Sequence, residues 1–253
     1  MKKILVVSNS FGEDANRYVY GIARGQKPAR DDVKIVTLYI GGCSLARHYR
    51  NMLSGEKVYD YIIDGIYSGL KVSLTEALFA DEWDVVVTQQ NSPNAGSYET
   101  YEPYIGELTA YFRKCAPKAK LYLQMTWSYP EGGASFKMTP FDGRADMIPA
   151  VIECYERVKK EQGYDGIIPS MLAMNKLYDI VGDKAYRDGH HANYGTGRYL
   201  LGLVWYMTLF GKDVVGNSYR DFDEPVSEDE VILMQKLAKE AVTEYGLIVE
   251  DNI

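Results

Sequence analysis

Cysteine is scarce in this chain, with Cys43, Cys115 and Cys154 the three thiols among 253 residues. An odd number without C-x-x-C spacing suggests neither a disulfide framework nor a zinc site, so reduced thiols are expected. Basic clusters are missing as well. The formal charge is −7 and no stretch concentrates Lys and Arg, which excludes nucleic acid as the expected partner, because phosphate binding needs a dense positive surface. A neutral small molecule fits better. The longest apolar stretch, around Tyr199 to Phe210, falls short of the roughly 20 residues that span a bilayer, so no membrane partner is expected. The start, Met1-Lys2-Lys3 before Ile4 to Val7, is basic, but its apolar run is too short for a signal-peptide core, and a cytoplasmic location is the expectation. Histidine is rare too. Any histidine base must be His48, His190 or His191.

What remains is ordinary globular material. Hydrophobic residues make up 46% of the chain and charged ones 25%, with 9 prolines, a balance that permits a sizeable core and argues against disorder. With no linker or repeat in sight, one domain spanning 1–253 is expected. The sequence carries no signal of oligomeric state.

Five short apolar runs recur: Lys3 to Val7, Val33 to Ile40, Trp83 to Thr88, Lys120 to Met125 and Gly166 to Pro169. They are near-continuous rather than alternating, as strands buried on both faces of a parallel sheet are. Helical spacing appears between them over Ala15 to Arg24, Ser73 to Ala80, Tyr101 to Cys115 and Ala145 to Glu161, then over Gly195 to Phe210 and Glu228 to Tyr245. The alternation predicts an α/β fold, a three-layer α/β/α sandwich around a mostly parallel five-stranded sheet. Ligands of such sheets sit at the carboxyl ends of the strands, near the point where strand order reverses. The loops there are Ser8-Asn9-Ser10-Phe11-Gly12, Gly41-Gly42-Cys43-Ser44, Gln89-Gln90-Asn91-Ser92 and Thr126-Trp127-Ser128-Tyr129.

Ser10 ends the first strand just before a helical segment. A lone serine there is usually an N-cap or turn former, so a partner base must change the odds. His191 has the best setting, in Asp188-Gly189-His190-His191-Ala192-Asn193-Tyr194-Gly195. An aspartate three residues upstream can reach one ring nitrogen, fixing the tautomer, while the other nitrogen faces a serine. A solvated loop or a metal site is the plainer alternative, and no third metal ligand is evident from the sequence. The chain order Ser, Asp, His agrees with the α/β-hydrolases, but their G-x-S-x-G nucleophile elbow is missing.

These blocks resemble the SGNH/GDSL hydrolase superfamily, and within it a bacterial, DUF4886-like branch whose first block reads G-N-S-F-T-E-D-A. Here that block is Ser8-Asn9-Ser10-Phe11-Gly12-Glu13-Asp14-Ala15, with Ser8 for the usual glycine and Gly12 for the common threonine. The resemblance implies a flavodoxin-like SGNH fold and a Ser10 nucleophile. Ile40 to Leu45 resembles the second block, implying that the Gly42 N–H, or alternatively that of Gly41, joins the Ser10 N–H in an oxyanion hole. The third block usually reads G-x-N-D, so Asn91 falls on the other donor position, while Gln89 and Ser92 depart from the pattern. Asp188 to His191 matches the last block, D-x-x-H.

The expected function is therefore a serine esterase that removes a small acyl group, acetyl first, and carbohydrate esters are what the branch implies. No metal or organic cofactor is required. Trp127 and Tyr129 are candidates to stack on a sugar face, with Gln89 and Gln90 beside them as substrate contacts, and Glu131 to Ala134 a candidate lid. Inward packing of those aromatics is the competing expectation. Glu13 and Asp14 read as helix-dipole partners, Cys43 as a small buried thiol with no histidine paired to it, and His48 as a helix-surface residue. Arg47, Arg187 and Arg198 are candidates to frame the cleft, with surface solvation as the default reading. Two rivals share the architecture: a non-catalytic carbohydrate-binding module, and a flavodoxin-like binder using Ser8 to Gly12 as a phosphate loop, against which Glu13 and Asp14 count.

Overall fold

The five apolar runs do become parallel strands, and they form the middle and one side of a larger sheet. The computed structural model describes residues 1–249. In chain order the elements are β1 (Lys2–Ser8), α1 (Ser10–Asn16), α2 (Val19–Arg24), β2 (Val33–Tyr39), α3 (Leu45–Ser54), β3 (Tyr59–Ile63), β4 (Ile66–Val72), α4 (Leu74–Phe79), β5 (Val85–Thr88), α5 (Tyr104–Cys115), β6 (Lys120–Gln124), α6 (Arg144–Gln162), β7 (Gly166–Ile168), α7 (Ser170–Val181), α8 (Thr196–Phe210) and α9 (Glu228–Glu244). The sheet has seven strands rather than five, in the order β4-β3-β2-β1-β5-β6-β7. The correction is the antiparallel hairpin β3–β4 added at one edge, beside β2. Its turn is Asp64-Gly65, both at positive φ, as a tight hairpin turn requires. Almost every residue of β4 faces solvent, so no apolar run marks the strand.

β1 lies at the centre, paired in parallel with β2 from Lys2↔Val33 to Ser8↔Tyr39 and with β5 from Ile4↔Val85 to Val7↔Thr88. The chain leaves β1 in one direction to build β2 and later crosses to the other side to build β5, so strand order reverses at β1. The loops after β1, β2 and β5 meet there, where an open parallel sheet leaves a crevice. Helices α1, α2, α7, α8 and α9 cover one face and α3, α4, α5 and α6 the other, giving the three layers. The apolar run near Tyr199 is α8, buried on nearly all sides between α1, α2, α7 and α9. A helix enclosed by other helices needs apolar residues all round, which accounts for its composition. Among the described residues no helix is long and apolar enough to cross a membrane.

Candidate active site

The first strand ends at Ser8, and Asn9 turns the chain into α1. Asn9 is the N-cap: its Oδ1 accepts from the Phe11 N–H at 3.0 Å, satisfying one of the orphan donors of the first turn. The same Oδ1 accepts from Gln89 Nε2 at 2.7 Å, and Asn9 Nδ2 donates to the Cys43 carbonyl at 2.9 Å. One buried amide thus ties together the loops after β1, β2 and β5. Sequence reasoning passed over Asn9, although asparagine before a helix start is a recognisable cap. Gly12 must lack a side chain, because a Cβ there would lie 2.4 Å from Ser8 Oγ. The Ser8 side chain fills the space that a side chain at position 12 would take.

Ser10 opens α1 and is partly exposed. Its Oγ lies 2.7 Å from His191 Nε2, and His191 Nδ1 lies 2.7 Å from Asp188 Oδ2. The Asp188 carboxylate holds more than the ring. Its Oδ1 accepts from the backbone N–H groups of His191 at 2.9 Å and His190 at 3.3 Å, so it also shapes the loop. Partial burial works to raise the Asp188 carboxyl, but the hydrogen bonds from the His191 ring and backbone outweigh it and hold it at about 2. An ionised carboxylate can only accept, so the Nδ1 of a neutral His191 carries the proton and Nε2 is left to accept from the Ser10 hydroxyl. The structure thus brings Ser10, His191 and Asp188 into one hydrogen-bonded chain. Among the described residues no protein acceptor takes the N–H of Ser10 or of Gly42. Gly42 sits at φ +62, exposed like Gly41. Asn91 Nδ2 is beside it, donating to the Gly42 carbonyl at 3.3 Å.

A family profile described as a domain of unknown function, DUF4886, matches residues 3–241. The chain belongs to the DUF4886 family. A DUF4886 protein from Bacteroides uniformis, known from its crystal structure, is 27% identical, with a TM-score of 0.87 over 98% of this chain and 97% of that one. A proposed SGNH hydrolase from Slackia heliotrinireducens is 21% identical, with a TM-score of 0.59 over 82% of this chain and 98% of that one. A proposed GDSL-like lipase from Parabacteroides merdae is 12% identical, with a TM-score of 0.55 over 81% and 93%. At such identities the last two establish a shared fold. No curated protein matches this chain.

Other expected contacts of this DUF4886 protein fall elsewhere. Trp127 and Tyr129 are fully buried and offer no face to a sugar. Trp127 stacks on Phe11 with ring centroids 4.2 Å apart and donates to the His190 carbonyl at 2.9 Å, while the Tyr129 hydroxyl bonds Ser92. Both rings brace the site from behind. Gln89 and Gln90 are buried too, and Gln90 Oε1 accepts from the N–H groups of Leu45 and Asn91, so these amides join loops to each other. Glu131, placed in the candidate lid, accepts from the Arg144 N–H at 3.1 Å, which ties that segment to the start of α6.

His48 is buried rather than on the helix surface, and its Nδ1 stands 3.5 Å from Cys43 Sγ and 2.9 Å from the Tyr59 hydroxyl. Cys43 is buried as expected but does have a histidine beside it. Asp14 is buried among guanidinium groups, Glu13 bonds Arg198, and Arg198 is itself buried, so none of these three is a simple solvated charge. Asp188, His190 and His191 have ligating atoms within 4.8 Å of one another, the one such grouping among the described residues. A metal bound there would draw on atoms that Ser10 and the loop already use. His190 packs its ring against His191, with centroids 4.0 Å apart, and burial first, then the neighbouring His191, lower its pKa.

Proposed function

We propose that this protein is a serine hydrolase that cleaves small acyl esters, with Ser10 as nucleophile, His191 as general base and Asp188 as the group that orients it. The observation that carries the reading is the pair of 2.7 Å contacts linking Ser10 Oγ, the two ring nitrogens of His191 and Asp188 Oδ2. Ser10 attacks the ester carbonyl while His191 Nε2 takes its proton, and Asp188 stabilises the imidazolium that forms. The open N–H groups of Ser10 and Gly42, with Asn91 Nδ2 nearby, are the proposed donors to the tetrahedral oxyanion. Each such donor contributes about 3 to 4 kcal/mol, because it is aimed at charge that develops only in the transition state. His191 then returns the proton to the leaving alcohol. In the second half, water attacks the acyl-Ser10 ester and loses its proton to His191, which passes it to the departing Ser10 Oγ as the acid is released. A partly exposed Ser10 suits a substrate that approaches from solvent.

The test is hydrolysis of p-nitrophenyl acetate and longer acyl homologues, then of acetylated sugars, by wild type and Ser10→Ala, with circular dichroism of both. Loss of the wild-type rate in a folded variant supports the reading. Equal rates in the two proteins remove Ser10 from the chemistry.

A further inference from the structure

Asp14 follows Ser10 on α1 by four residues and is fully buried. A carboxylate in that position is costly unless it is paired and hydrogen-bonded. Two guanidinium groups pair it. Arg198 donates from Nε to Oδ1 at 2.9 Å, and Arg187 donates from Nη1 to both oxygens at 2.9 Å. Arg198 has other carboxylate partners, with Glu13 at 3.1 Å and Asp223 at 2.8 Å. Arg187 is placed differently.

Arg187 belongs to the loop that carries Asp188 and His191. That loop is a small hairpin closed by the Tyr186↔Ala192 bridge, and the Arg187 N–H donates to the His191 carbonyl at 3.0 Å. The same Nη1 that grips Asp14 also donates to the Ala192 carbonyl, across the neck of the hairpin. Arg187 Nε lies 4.0 Å from Asp188 Oδ2, the oxygen that accepts from the His191 ring. The Tyr194 ring covers both guanidinium groups, 4.5 Å from that of Arg187 and 4.6 Å from that of Arg198.

Two bodies meet here. Ser10 and Asp14 ride on the same short helix, about 6 Å apart along its axis. His191 and Arg187 ride on the same closed hairpin. We propose that the Asp14–Arg187 pair is a positioning device: it locks the hairpin against α1 and so sets the distance between Ser10 Oγ and His191 Nε2. Neither residue touches the reacting atoms. The kinetic consequence rests on the hydrolase reading, whereas the geometric consequence stands without it. Because two of the three acceptors at that one nitrogen are carboxylate oxygens, a charged lysine ammonium is able to replace part of the clamp, while a neutral glutamine amide is not.

The experiment compares wild type with Arg187→Gln, Arg187→Lys, Asp14→Asn and the double variant Asp14→Asn/Arg187→Gln. Folding is checked by circular dichroism and melting. The readouts are kcat and KM on an activated ester and the proton NMR resonance of His191 Nδ1–H, identified by its loss in His191→Ala. Arg187→Gln is expected to lower kcat about 100-fold with KM changed less than about threefold, since a displacement of about 1 Å is that costly to a positioned reaction. Its His191 resonance should shift or broaden. Arg187→Lys should recover at least about tenfold of the lost rate, and the double variant should be no slower than the worse single one, as for two halves of one contact. A purely structural role would lower melting temperature and leave both the kcat-to-KM split and the resonance unmoved. If Asp14→Asn does not fold, the Arg187 variants decide, because Asp14 then keeps Arg198. A folded Arg187→Gln with wild-type kcat and an unmoved resonance overturns the proposal. If wild type cleaves no ester but the resonance still moves in Arg187→Gln, the hydrolase reading fails and the clamp stands.

Discussion

Two sites in this molecule set a nucleophilic atom beside a histidine, and they differ in almost everything else. At the partly exposed start of α1, Ser10 Oγ is 2.7 Å from His191 Nε2; behind the neighbouring loop, Cys43 Sγ is 3.5 Å from His48 Nδ1. His191 has an ionised carboxylate on its other nitrogen. His48 has none: its Nδ1 is shared with the Tyr59 hydroxyl, and its Nε2 has no partner among the described residues. Burial pushes the Cys43 thiol up to about 12 and, with Arg47 nearby, brings His48 down to about 3. That pair is therefore a neutral thiol and a neutral imidazole at pH 7, sealed from substrate. Proximity of nucleophile and base is not enough. A base must have somewhere to place the positive charge it acquires, and the nucleophile needs access from solvent.

The comparison is broken most directly at Ser10. Ser10→Ala should lower kcat by about 10³-fold or more, measured on an activated ester, and a retained rate in the folded variant would mean that the geometry has no catalytic meaning. Asp188→Asn should cost about 10²- to 10⁴-fold in kcat, because the amide favours the wrong His191 tautomer while leaving much of the geometry intact. A wild-type rate for that variant would show that the carboxylate, the feature absent at His48, is dispensable.

Acid should separate the two histidines further. Folded His48 stays neutral down to about pH 3, whereas in the unfolded chain its imidazole binds a proton below about pH 6.5. The depressed pKa contributes stability above about pH 6.5 that is lost as pH falls towards 3, by up to a few kcal/mol. Urea unfolding at pH 7 and pH 4.5 should thus show a larger loss in wild type than in His48→Gln, and equal losses would rule the sign wrong. The smallest effect is expected at the thiol. Cys43→Ala should change kcat less than about threefold, and iodoacetamide should not alkylate Cys43 in the native protein, since a buried thiol with a raised pKa supplies no thiolate.

Much of the architecture was legible because strands buried on both faces leave continuous apolar runs. The hairpin β3–β4 was not, since a solvent-facing edge strand has no such run, although its Asp64-Gly65 turn carried a readable signal. α3 and α7 also escaped notice, even though Ser44 before α3 is a typical cap. Within the site, the scarcity of histidine and the D-x-x-H spacing singled out His191 and Asp188. The inward or outward choice of loop side chains was not legible. Trp127, Tyr129, Gln89 and Gln90 stand in the right loops and point inside, and His48 lies buried on a helix whose composition reads as surface.

The sequence by itself determined what is local or periodic: the alternating parallel elements, the central loops and the short reach from Asp188 to His191. Tertiary structure decided the rest. Asp14 meets Arg187 across 173 residues and Gln89 meets Asn9 across 80. Polar pairs at such separations leave no period in the chain, because the requirement they satisfy, a partner for every buried charge and amide, arises only when the layers close and water leaves.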